Sequence, residues 1–121
     1  AHGQRFLFRP RPARPPIYVG GAPPHAFERA LRYGDGWMPM GANPAKLRPQ
    51  IETLHRLARE RNLPEPEVVS FGALPLDDPS RAADRLDELA GIGVTRFVQG
   101  VRYDDAATYR RCVEALAKIE P

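Results

Sequence analysis

The 121-residue sequence predicts an α/β protein of four strand–helix units with parallel strands. Three observations carry this. Four short runs of β-branched and aromatic residues recur along the chain, and each is followed by apolar residues at helical spacing. Every connection between runs contains a helix, which is the right-handed crossover that parallel neighbours require. A chain of this length supports one hydrophobic core and is too short for two ordinary ones.

In the first unit, Ile17-Tyr18-Val19 reads as a short buried strand ended by Gly20-Gly21. From Pro24 onward Phe27, Ala30 and Leu31 take i, i+3, i+4 spacing, and the helix stops near Gly34. The second strand is "GWMPM", Gly36 to Met40, with Pro39 marking its end. Asn43 is then an N-cap with Pro44 at the first helical position, and Leu47, Ile51, Leu54, Leu57 and Ala58 form one face down to Asn62. The third strand is Glu67 to Leu74, and Ser80 is a cap for a helix carrying Ala83, Leu86, Leu89 and Ala90. "GIGV" ends that helix. The fourth strand is Thr95 to Val101, and Asp104 or Asp105 caps a last helix with Tyr109, Cys112, Val113, Leu116 and Ile119 on its stripe.

Ahead of these units, residues 1–16 form a basic, proline-rich lead-in, so the chain divides into 1–16 and 17–121. Two closures fit the βαβαβαβα pattern. One is an open doubly wound sheet covered by helices on both faces, and the other is half of an eight-stranded (β/α) barrel. Periodicity does not choose between them.

Composition narrows the function classes. With 42% hydrophobic and 27% charged residues this is a globular protein, and no apolar run approaches the roughly 18 residues of a membrane span. The N-terminal residues lack the pattern of a secretory signal, which makes the cytoplasm the expected location, and the missing initiator Met suggests a piece of something longer. Net charge is +3, and Arg5, Arg9, Arg11 and Arg14 concentrate the excess in the lead-in. Aromatic interleaving there is thin and no helix presents a basic face, so nucleic-acid binding is not expected. "RPRPARP" also fits a polyproline ligand, with a stiff entry segment as the plainer reading. The single cysteine, Cys112, lies on an apolar helical stripe and reads as a buried structural thiol. His2, His25 and His55 are too scattered for metal-ligand spacing, and no metal is assigned. His55 reads as a surface residue, Trp37 and Met38 as packing, Asp35 as a brace of the turn, and Asp77-Asp78 and Asp104-Asp105 as helix caps.

"RPPIYVGG", then "FERALRYGDGWMP", a long amphipathic helix and finally "ELAGIGVTRFVQGV" follow one another in this order. Together they resemble the C-terminal half of the bacterial luciferase-like family of flavin- or deazaflavin (F420)-dependent oxidoreductases, over nearly the whole chain. The resemblance implies a TIM-type (β/α)8 barrel of which these units are the later (β/α)4 half. It further implies that the glycine-containing loop after the first strand seats the cofactor's phosphate, a role carried to Gly20, Gly21, Ala22, His25 and Ala26. The residues themselves suit that role. Glycines let backbone N–H groups approach an anion, and the next helix presents further N–H groups and a positive dipole end. Pro23-Pro24 removes two donors from the loop.

The implied reaction is hydride transfer, or monooxygenation, of a small organic substrate. F420 is preferred to FMN because the Arg-, Ala- and Pro-rich composition suggests a GC-rich genome. No catalytic residue is assigned, and the chain alone is expected to be inactive. Its expected partner is the missing N-terminal half-barrel or a second copy of itself, because a half-barrel exposes two sheet edges and its lumen face. The alternative is a non-enzymatic α/β binding or interaction module whose contact is the basic proline-rich arm.

Overall fold

The computed structural model describes residues 13–119. Most of the lead-in 1–16, with His2 and three of its arginines, lies outside the described residues. Strands and helices alternate as β1 (Tyr18–Gly20), α1 (His25–Tyr33), β2 (Gly36–Met38), α2 (Pro44–Glu60), β3 (Glu67–Gly72), α3 (Pro79–Gly91), β4 (Arg96–Gln99) and α4 (Ala106–Leu116). The sheet runs in the order β1-β2-β3-β4 with every neighbouring pair parallel.

That order decides between the two closures. A doubly wound sheet reverses its strand order at a switch point, whereas strands that succeed one another in chain order through right-handed crossovers keep all helices on one face. Burial follows the same division. Val19, Trp37, Val68 and Phe97 alternate onto the helix side, where they join Phe27, Ile51, Leu54 and Leu89 in a single core. The opposite face carries Tyr18, Met38, Phe71, Arg96 and Val98, of which Phe71, Arg96 and Val98 are exposed, while Val69, in register with Arg96, is buried there. The four units form a TIM-type half-barrel pattern, with the helices outside and the lumen side open.

Each helix begins where its local chemistry dictates. The Asn43 side chain accepts the Ala45 N–H at 3.0 Å and Pro44 supplies the first helical position. For α3 the cap is Asp78, which accepts the Arg81 N–H at 3.1 Å. Ser80, predicted as that cap, lies inside the helix, because Pro79 already fixes helical φ at the first position. Asp105 caps α4 by accepting the Thr108 N–H at 2.6 Å, and this backbone donor holds its carboxyl below the usual carboxylate range.

Two sequence expectations fail for packing reasons. His55, read as surface, has a side chain only 15% exposed, since the α3–β4 turn at Gly93 closes over it. Its Nδ1 lies 3.5 Å from the Glu65 carboxylate, and its Nε2 is buried with no partner among the described residues. The α4 stripe leaves no residue of that helix buried, and Cys112 is half-exposed instead of enclosed. This helix follows the outermost strand, so a neighbouring unit flanks it on one side only.

The N-terminal ends of the strands are tied by polar contacts. Asp35 accepts from the Ile17 N–H at 2.7 Å and from Arg14 at 3.0 Å, and its carboxyl is held low, first by the Ile17 amide and then by the guanidinium. Its own backbone carbonyl accepts the Glu67 N–H at 3.1 Å, so the "YGDG" turn braces β1 against β3 as well as leading into β2. On the open face the Tyr18 hydroxyl donates to Glu67 at 2.6 Å, passing over Gly36, which stands between the two in register. Arg96 donates to the same Glu67 oxygen at 3.1 Å.

Candidate functional site

At the opposite, C-terminal end of the strands, the β1–α1 and β2–α2 loops enclose a cavity of about 430 Å³. In a (β/α) barrel this rim carries ligands, since loop residues converge there from several strands. The cavity is lined by Gly21 and Ala22 from the first loop, Met40 and Asn43 from the second, and Lys46 and Gln50 from α2. Buried Pro39 and Leu47 close it on the core side.

The first loop is shaped by where its carbonyls point. The Gly20 carbonyl accepts from Arg29 at 2.8 Å, the Gly21 carbonyl from the Trp37 indole N–H at 2.9 Å, and the Ala22 carbonyl from the Ala26 N–H at 3.2 Å. Gly21 has φ +117°, a conformation that L side chains rarely adopt, so glycine is required at this corner. With the carbonyls turned toward the protein, the amides of Ala22 and His25 meet no acceptor among the described residues.

The second loop is pinned from below. Ser70, fully buried on β3, donates to the Gly41 carbonyl at 3.0 Å and so fixes the segment leading into Asn43. The N-terminus of α2, with Lys46 exposed in its first turn, then faces the cavity with the positive end of a 17-residue helix.

Of the predicted site residues, Gly21 and Ala22 line the cavity, and Gly20 lies directly beneath them at the end of β1. His25 is exposed at the start of α1 outside the cavity lining. Ala26 is buried at 1% exposure with its amide engaged by Ala22, which leaves it as a packing residue behind the turn. Lys46, Asn43 and Gln50 were not singled out as site residues. The signal for them was the Asn43-Pro44 helix start directly after a strand, the same strand-to-helix logic that drew attention to Gly20-Gly21.

A larger groove of about 590 Å³ follows β3 along the Arg81, Asp84, Arg85 and Glu88 face of α3. Its charges are mixed, and Arg85 is already paired with Glu88 at 2.7 Å, so it offers no net sign to a ligand. The rim cavity has the open Ala22 amide, a helix N-terminus and one lysine, which together suit a phosphate. Among the described residues no group of three or more His, Cys, Asp or Glu is arranged to hold a metal ion, and no helix is long and apolar enough to cross a membrane.

A comparison with curated proteins returns no match. The sequence profile of the luciferase-like monooxygenases matches residues 1–119. Members of that family are oxidoreductases that use flavin or F420 cofactors. On this match and on its sequentially ordered parallel half-barrel, the chain belongs to the luciferase-like monooxygenase family.

Proposed function

We propose that this chain is the cofactor-seating part of a flavin- or deazaflavin-dependent oxidoreductase acting on a small organic substrate, and that the rim cavity receives the cofactor's phosphate. The observation supporting this is the convergence of the Gly21–Ala22 turn, the α2 N-terminus and Lys46 on one cavity. When bound, the cofactor supplies hydride transfer or, with dioxygen, monooxygenation. The chain's own part is to bind and orient. The Ala22 amide and the Lys46 ammonium hold the phosphate, Asn43 keeps the α2 N-terminus in place, and Pro39 and Leu47 keep water from the core side. Between the two cofactors the reading favours F420, on composition.

The same reading includes completion of the barrel by four further units, supplied by an N-terminal half or by a second copy. Its support is the open sheet face, where Phe71 is 37% and Val98 40% exposed, together with the edges at β1 and β4. Light scattering after size exclusion separates the two sources: a stable monomer counts against the second copy.

The experiment for the phosphate seat is a fluorescence titration of the chain with FMN and riboflavin, and with F420 and its phosphate-free chromophore. The phosphate-bearing member of a pair binds about tenfold or more tighter, and Lys46→Ala removes most of that preference, as expected for a charge-assisted contact. Equal affinity within both pairs sinks the phosphate seat.

A further inference from the structure

We infer that Trp37 is a positioning residue for the anion seat: its indole N–H locks the Gly21–Ala22 peptide plane so that the Ala22 N–H faces outward. This rests on the phosphate reading above and extends it to a nearly buried residue in the cavity wall, whose part is to orient the loop.

In a trans peptide the carbonyl oxygen and the following N–H point in opposite directions. The Gly21 carbonyl is held by Trp37 Nε1 at 2.9 Å, so the N–H in the same peptide unit, that of Ala22, is turned away from the indole to the exposed side of the loop. Gly21 needs such a restraint. With no Cβ at Gly21, rotation about its ψ, one of the two torsions that orient this peptide, is little restrained on that side, and a rotated plane would turn the Ala22 N–H away from the anion.

Trp37 is built to hold still. It is 1% exposed, its ring meets Phe27 edge-to-face at 4.9 Å, and it sits on β2 in register with Val19 and Val68. A buried donor on a sheet strand thus holds an acceptor in the neighbouring glycine loop, a division that suits precise placement of binding groups. Nor does core packing alone require an indole at this position, since the apolar contacts would be met by a ring without a nitrogen.

The test uses the chain's single tryptophan. Residue-specific replacement of the Trp37 indole by its benzothiophene isostere keeps ring size and packing and deletes the N–H; Trp37→Phe is the second variant. The readout is the ratio of dissociation constants within each pair, riboflavin over FMN and the phosphate-free F420 chromophore over F420, measured from ligand fluorescence. Loss of one oriented donor lowers that ratio about fivefold to tenfold, while affinity for the phosphate-free member stays the same. A purely structural role would weaken both members equally. An unchanged ratio in the isostere overturns the inference while leaving the seat intact. A parent chain with no phosphate preference removes the seat itself, and the inference with it.

Discussion

Replacing Gly36 by alanine places a methyl group against the backbone of the adjoining strand. The new Cβ would collide with the Glu67 carbonyl oxygen and lie 2.9 Å from its carbon and 3.0 Å from Tyr18 Cδ1. Two of these atoms are backbone and cannot rotate aside, so the β2–β3 pairing at Gly36 and Glu67 must open. Overpacking of this kind costs about 1–3 kcal/mol, and a backbone collision belongs near the upper limit. Against a total stability of about 5–15 kcal/mol that is a large fraction. With a urea slope of about 1.5–2 kcal/mol per M, the midpoint falls by about 1.5 M. Trp37, adjacent to the site and buried, reports the transition by its fluorescence. Gly91→Ala is the control: nothing lies within 4 Å of its Cβ and it ends α3, so the same substitution there is neutral or stabilises by up to about 1 kcal/mol. A Gly36→Ala midpoint within about 0.3 M of the parent, or an equal loss at Gly91, would refute the reasoning.

Leu54→Ala empties a fully buried position in α2 and lowers unfolding free energy by about 2–5 kcal/mol in urea denaturation. Asn43→Ala removes the α2 cap and costs about 1 kcal/mol, read by thermal melting, with a matching weakening of phosphate binding because the helix start lines the cavity. Stability also depends on pH at both extremes. The carboxyls of Glu67, Asp35 and Glu28 are depressed, by the Tyr18 hydroxyl, the Ile17 amide and the Arg61 guanidinium respectively, so their contribution is present above the ordinary carboxylate range and is lost as pH falls below it. Tyr18 is raised above its ordinary 10.0 by the same hydrogen bond, so its contribution is present below that value and is lost as pH rises beyond it. Denaturation midpoints measured across pH should plateau between these limits, and Glu67→Gln should flatten the acid limb.

The α2 helix was legible in the sequence because every local signal agreed: an Asn-Pro start, a five-residue apolar face and no competing strand pattern. The strands are legible as runs, but the runs of β2, β3 and β4 extend beyond their paired residues, which end at Met38, Gly72 and Gln99, because apolar character continues into the rim, whereas β1 reaches one residue past its run to Gly20. The closure was not readable from periodicity, since strand order is a property of pairing and not of any one segment. The Gly20-Gly21 corner was visible from its glycines, whereas Lys46 was hidden on a helix whose apolar stripe drew the attention. His55 was misread because the residue that covers it, Gly93, lies 38 positions away in the chain.

The bracing contacts of Asp35, Tyr18, Glu67 and Arg96 gather at one end of the sheet, while the loops around Gly21 and Lys46 occupy the other. Foundations and workshop are thus separated by the length of the strands. Substitutions in the upper loops would therefore alter the proposed seat without loosening the footings, so that binding and stability can vary independently.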